Sequence, residues 1–112
     1  MNSSHQVQAI AENLLVAYNL GDYRAFSRDL SLPARLIVDE ATFAEFRKDN
    51  LPAIGPFVAV TDVQPESGMQ DPEHLRYQVR VQFQNVNAAA LVITLSREGQ
   101  VEGLELYPRG RW

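Results

Sequence analysis

Up to about residue 56 the apolar residues of this chain recur at spacings of three and four, and beyond it they recur at two. A chain that changes period once, in that order, builds helices first and a sheet second. The helical part opens with residues 5–32. Val7, Ile10, Ala11, Leu14, Leu15 and Tyr18 put one apolar stripe along about four turns, opposite Gln8, Glu12 and Asn19. Ser3 or Ser4 can cap this helix, and Ser3 with Gln6 fits a capping box. Gly21 supplies the stop, because glycine tolerates the left-handed conformation that follows a helix. Asp22 is an N-cap for a second, shorter helix in which Phe26 and Leu30 turn inward while Arg24, Arg28 and Asp29 stay wet. Pro33 breaks this segment, and Leu36-Ile37-Val38 makes a brief apolar passage. Asp39 or Glu40 then opens a third helix through Thr42, Phe43, Phe46 and Leu51, which Pro52 kinks or ends.

Four strand signals follow. In residues 75–84, Leu75, Tyr77, Val79, Val81 and Phe83 alternate without exception against Arg76, Gln78, Arg80, Gln82 and Gln84. Residues 57–63 alternate less cleanly, with Phe57, Ala59 and Val63 on one side and Val58 and Val60 on the other. The segment 65–72 between them, with its prolines, glycine and acids, reads as an exposed loop that tolerates length variation. Residues 88–95 are apolar on both faces, which predicts a strand covered on each side: by the helices on one, by a second subunit on the other. Residues 97–100 form a glycine-bearing turn, and Val101 to Tyr107 return with Leu104 and Leu106 alternating against Glu105 and Tyr107, until Pro108. The expected fold is α+β, two to three N-terminal helices on one face of a curved four-stranded antiparallel sheet, in a single domain over residues 1–112.

Composition narrows the partners. A net charge of -4, shared by both halves, leaves no basic face for nucleic-acid phosphates. Nine of the ten cationic residues are arginine, read as compositional bias without functional weight. No cysteine is present, so disulfides, thiolate chemistry and cysteine zinc sites are excluded. No run approaches the roughly 20 apolar residues that cross a bilayer, and residues 1–8 lack the apolar segment of a secretory signal. A soluble, cytoplasmic protein without membrane or nucleic-acid partners is expected.

Several short motifs carry a resemblance: Asn19-Leu20-Gly21-Asp22-Tyr23, followed by Ala25-Phe26 and Leu30-Ser31; Leu51 with Ile54-Gly55-Pro56-Phe57; and a Gly99 turn before Gly103-Leu104-Glu105-Leu106. With this order of elements, the chain resembles the nuclear transport factor 2-like, or cystatin-like, superfamily of cone folds, which includes ketosteroid isomerases and SnoaL-like cyclases. Within it the chain is most similar to small uncharacterised domains. The resemblance implies a ligand pocket between helices and concave sheet, and dimers through the outer sheet surface.

The residues offer little for catalysis. An isomerase of this kind needs an inward carboxylate base. Glu105 and Asp62 alternate with apolar neighbours and so point outward, and capping explains Asp22. His5 and His74 have no clustered ligands for a metal, and His74 beside Glu73 reads as an exposed strand entry rather than a base. Motifs for phosphate transfer, zinc proteolysis and serine hydrolysis are missing. Trp112 with Arg109 and Arg111 reads as a frayed or folded-back terminus rather than a docking tail. The pocket candidates are Tyr18, Phe26, Phe46, Tyr77 and Tyr107, with no catalytic residue, metal or cofactor. The expectation is a binding domain for an apolar small ligand or a protein partner, working as a homodimer through its sheet. The alternative is a cofactor-free isomerase, dehydratase or cyclase that uses the same pocket, and an accessory domain to a separate enzyme is a third reading.

Overall fold

The structure, a computed structural model, describes residues 3–66 and 74–111, and in it four helices precede four strands. Helix α1 (Ser3–Leu20) buries Val7, Ile10, Ala11, Leu14, Leu15 and Tyr18, the whole expected stripe. Ser3 and Ser4 both lie within α1, so Ser4 does not cap it, and the expected Ser3 capping box rests on a side chain outside those described. At the other end Gly21 takes φ +70°, and the Asp22 N–H reaches back to the Ala17 carbonyl at 3.0 Å. That bond closes a left-handed helix terminus. Asp22 then accepts from the Ala25 N–H at 3.1 Å to start α2 (Tyr23–Ser27). One residue thus ends one helix and begins the next. A Cβ at Gly21 would lie 2.8 Å from the Arg47 guanidinium, in a conformation side chains rarely adopt. Gly21→Val is expected to cost over about 1 kcal/mol, read as a lowered melting temperature.

Pro33 does not break the chain into an irregular passage. It occupies the first turn of a further helix, α3 (Leu32–Ile37), where its missing N–H costs nothing, and Ser31 caps that helix by accepting from the Ala34 N–H at 3.2 Å. Asp39 accepts from the Thr42 N–H at 2.9 Å to open α4 (Glu40–Ile54). The Thr42 N–H, and after it the Thr42 side chain, hold the Asp39 carboxyl below its ordinary range. Pro52 lies within the last turn of α4, which stops at Gly55 with φ +83°.

The strands β1 (Phe57–Pro65), β2 (His74–Phe83), β3 (Val86–Ser96) and β4 (Val101–Tyr107) form an open antiparallel meander in sequence order. In β2, Tyr77, Val79, Val81 and Phe83 are buried in the core, with Leu75 packed against it, as the alternation predicts. β1 departs from its expected sides. Register shifts after Phe57 and after Val60 insert extra residues, so Phe57, Val60 and Val63 all pack on the core while Val58 is 53% exposed. Most of the loop expected at 65–72 lies outside the described residues. Among the described residues no helix is long and apolar enough to cross a membrane.

β3 is buried on both faces. Ala89, Leu91, Ile93 and Leu95 join the core under the helices. On the outer face Ala90 and Val92 are 0% and 1% exposed. Their cross-strand neighbours are Arg80 and Tyr107 for Ala90, and Gln78 and Glu105 for Val92. Of these, Glu105 and Tyr107 are tied over the sheet. Arg76 bridges Glu66 at 3.0 Å and Glu105 at 3.2 Å, the Tyr107 hydroxyl donates to Glu105, and Arg111 pairs with Glu66 at 2.9 Å while lying over the Tyr107 ring. The second cover that the sequence required for β3 is supplied, at Ala90 and Val92, by the chain's own side chains.

Candidate functional site

The junction between α4 and β1 fixes how the helices sit on the sheet. Four successive carbonyls there are held in alternation by the β2–β3 turn and α1: Ile54 by the Asn85 N–H at 2.9 Å, Gly55 by the Tyr18 hydroxyl at 3.0 Å, Pro56 by the Gln84 N–H at 2.9 Å and Phe57 by the Asn19 side-chain amide at 3.0 Å. Asn19 also accepts from the Phe57 N–H at 2.7 Å, pairing with it as a strand neighbour would. The side chain expected to be wet is therefore half-buried and structural. Gly55 itself, at φ +83° and ψ -175°, is in a region open essentially to glycine alone. Arg47 reaches from α4 to the Tyr18 carbonyl at 2.7 Å and the Asn19 carbonyl at 3.4 Å, placing a cation at the C-terminus of α1.

The far side of α4 is held by large side chains instead. The Phe26 and Phe43 rings meet at 4.5 Å, the Tyr23 ring lies tilted against both at 6.3 and 5.7 Å, and the Tyr23 hydroxyl donates to the Val38 carbonyl at 2.6 Å. Phe46 meets the edge of Tyr18 at 5.6 Å. Standing α4 off on aromatic rings leaves a cavity of about 150 Å³ beneath it. Leu14, Leu15 and Tyr18 form its back, Phe26, Phe43 and Phe46 its roof, and Leu91, Leu104 and Leu106 its floor. Val38 and Thr42 complete the wall. Thr42 is exposed, and Val38, Phe46, Leu104 and Leu106 are half-buried, so the opening lies between α4 and β4.

Of the five pocket candidates, Tyr18, Phe26 and Phe46 line this cavity together. Tyr77 does not: it is buried in β2, and of the strands only β3 and β4 contribute to the floor. Tyr107 does not either, because it shares the outer face with Glu105, to which its hydroxyl donates at 3.0 Å. The apolar floor and Phe43 carry no signal that separates pocket from core in sequence. Thr42 was legible as a helix residue only.

Chemically the lining is sparse. Among the described residues it contains no carboxylate and no imidazole, and its one ionisable group is the Tyr18 phenol, whose proton is given to the Gly55 carbonyl. Burial raises that phenol above its ordinary value of 10.0, and Arg47 opposes the rise in part. Asp62 and Glu105 are exposed on the sheet, and His74 stands 3.3 Å from Glu102, all away from the cavity. The Trp112 docking reading and the Glu73 partner of His74 fall outside the described residues. Neither a model of a known protein family nor a curated protein matches the chain.

Proposed function

We propose that this chain is a small non-catalytic binding domain that holds an apolar ligand in the cavity under α4. The observation that carries this reading is the lining: an almost wholly apolar wall, one hydroxyl at the mouth from Thr42, and a tyrosine whose proton is already engaged. Ligand sites combine apolar walls with few polar groups in this way. A cavity of about 150 Å³ with such walls accepts a single ring of benzene size. Membership of the nuclear transport factor 2-like superfamily belongs to the same proposal, supported by the order of helices and antiparallel meander.

The isomerase, dehydratase or cyclase alternative needs a proton acceptor beside the substrate. Among the described residues the lining supplies no carboxylate or imidazole for that work, which favours binding over proton transfer. The cavity wall comes from one protomer, so this reading requires no second copy.

Titration of the isotope-labelled chain with toluene and with indole, followed by amide and methyl chemical shifts, tests it. Saturable shifts centred on Leu14, Leu91 and Leu104 are expected, and a Leu104→Trp variant that fills the mouth should lose at least tenfold in affinity. Shifts that are linear in ligand, or scattered over the surface, would overturn the proposal.

A further inference from the structure

The two edges of the sheet are built differently. β1 is blunted along its length: two register shifts interrupt its pairing, Asp62 stands at the second of them and Pro65 closes the strand. Such features keep an edge from recruiting another strand. Away from β3, β4 is engaged among the described residues at its two ends: the Val101 N–H donates to the Asp29 carbonyl, the Val101 carbonyl accepts from the Ser31 N–H, and the Tyr107 carbonyl accepts from the Gly110 N–H at 2.9 Å. Its one register shift lies between Val101 and Gly103. From Gly103 to Tyr107 it carries neither shift nor proline.

Apolar surface flanks this open stretch. Leu32, Leu36 and Ile37 of α3 are 69%, 76% and 74% exposed. A groove of about 200 Å³ runs between α3 and β4, walled by Ala34, Ile37, Val38 and Leu104, and the cavity mouth opens at Leu104 and Leu106. Edge, groove and mouth are continuous.

We infer that β4 pairs antiparallel with β4 of a second copy of this chain, about a two-fold axis through Glu105. The sequence of the edge identifies the occupant. Centred on Glu105, the stretch is symmetric in character: Leu104 meets Leu106 of the second copy on the helix side, and Gly103 meets Tyr107 on the outer side, where an aromatic ring fills the space that glycine leaves. Centring on Leu104 would instead put Gly103 opposite Glu105 and Leu106 opposite Glu102. Glu105 meets its own counterpart, but each carboxylate is held within its own copy by Arg76 at 3.2 Å and by the Tyr107 hydroxyl at 3.0 Å. Joined in this way, the two sheets become one, the helices stay on one side, and α3 of each copy moves toward Leu106 and the cavity mouth of the other. An isologous contact of this kind closes on itself. It leaves the outer sheet face free and does not depend on a ligand.

The absence of cysteine makes the axis directly testable. Residues facing one another across antiparallel strands have Cα atoms about 4.5–5.5 Å apart, within disulfide range. Under mild oxidation Glu105→Cys is expected to give a covalent dimer of twice 12.6 kDa, and Arg80→Cys, on the outer face of β2, to remain monomeric. The unmodified chain at about 100 µM should sediment as a dimer. The doubly substituted Leu36→Asp, Ile37→Asp chain, altered only at exposed positions, should fall back to 12.6 kDa with an unchanged circular dichroism spectrum. A monomer throughout for the unmodified chain overturns the inference, as does cross-linking at position 80 in preference to 105.

Discussion

Replacing Tyr18 by alanine is expected to cost about 3–5 kcal/mol, the range for removing a large aromatic side chain from a packed core. The ring is 1% exposed and touches the edges of Phe46 and Phe83 at 5.6 and 6.0 Å, so its loss opens a void continuous with the existing cavity. The hydroxyl has a separate share. Tyr18→Phe keeps the ring but leaves the Gly55 carbonyl without its donor, at about 1–3 kcal/mol. Urea denaturation reads both as shifts in midpoint with little change in slope. The two are further separated by pH. The folded phenol titrates above its ordinary 10.0, so its contribution is complete below pH 10 and is lost as the pH rises through the raised folded value. Tyr18→Phe should lack that alkaline loss. Equal midpoints for the native chain and Tyr18→Phe would mean that the hydroxyl does not hold the junction.

Val92→Asp is the second large effect, expected at about 3–5 kcal/mol for an uncompensated charge in a buried position. Val92 is on the outer face of the sheet, where a one-layer fold would ordinarily be wet, yet it is 1% exposed. An aspartate there would stand opposite Glu105 and beneath the Arg76, Glu66 and Tyr107 side chains that close over it. Thr61→Asp, at an exposed position on β1, should stay within about 0.5 kcal/mol. Thermal melts of the pair compare the two sites directly. If Val92→Asp melts like Thr61→Asp, the polar cover over β3 does not exclude water.

How much of this could be read from sequence depended on whether a period survived intact. The α1 stripe and the β2 alternation are regular from end to end, and every residue they assigned inward is at the core. In β1 Val60 turns inward against the plain alternation because a bulge adds a residue without any residue type that announces it. α3 is hidden in the sequence because proline both ends helices and begins them, and only the Ser31 cap distinguishes the two. In the site, Tyr18, Phe26 and Phe46 were legible because each lies on the inward side of a helix. Tyr107 followed the parity of its strand to the outer face, with Glu105. The cavity itself left no trace in the sequence, since Leu14, Leu91 and Leu104 would be leucine in a filled core as well.

The four carbonyls from Ile54 to Phe57 also determine how the domain can breathe. Their donors come from α1 and from the β2–β3 turn, at sequence separations of 37 and 38 for the two from α1, so this corner releases only when both layers come apart. The opposite side, where α3 and β4 meet the cavity mouth, is held by ring contacts, by the Tyr23 hydroxyl on the Val38 carbonyl and by the Val101 bonds to Asp29 and Ser31, and among the described residues no run of successive carbonyls is latched there. Opening is therefore expected to be unequal across the cavity, easier on the α3–β4 side. On the proposed binding reading, a ligand would enter and leave by that side without waiting for the domain to unfold.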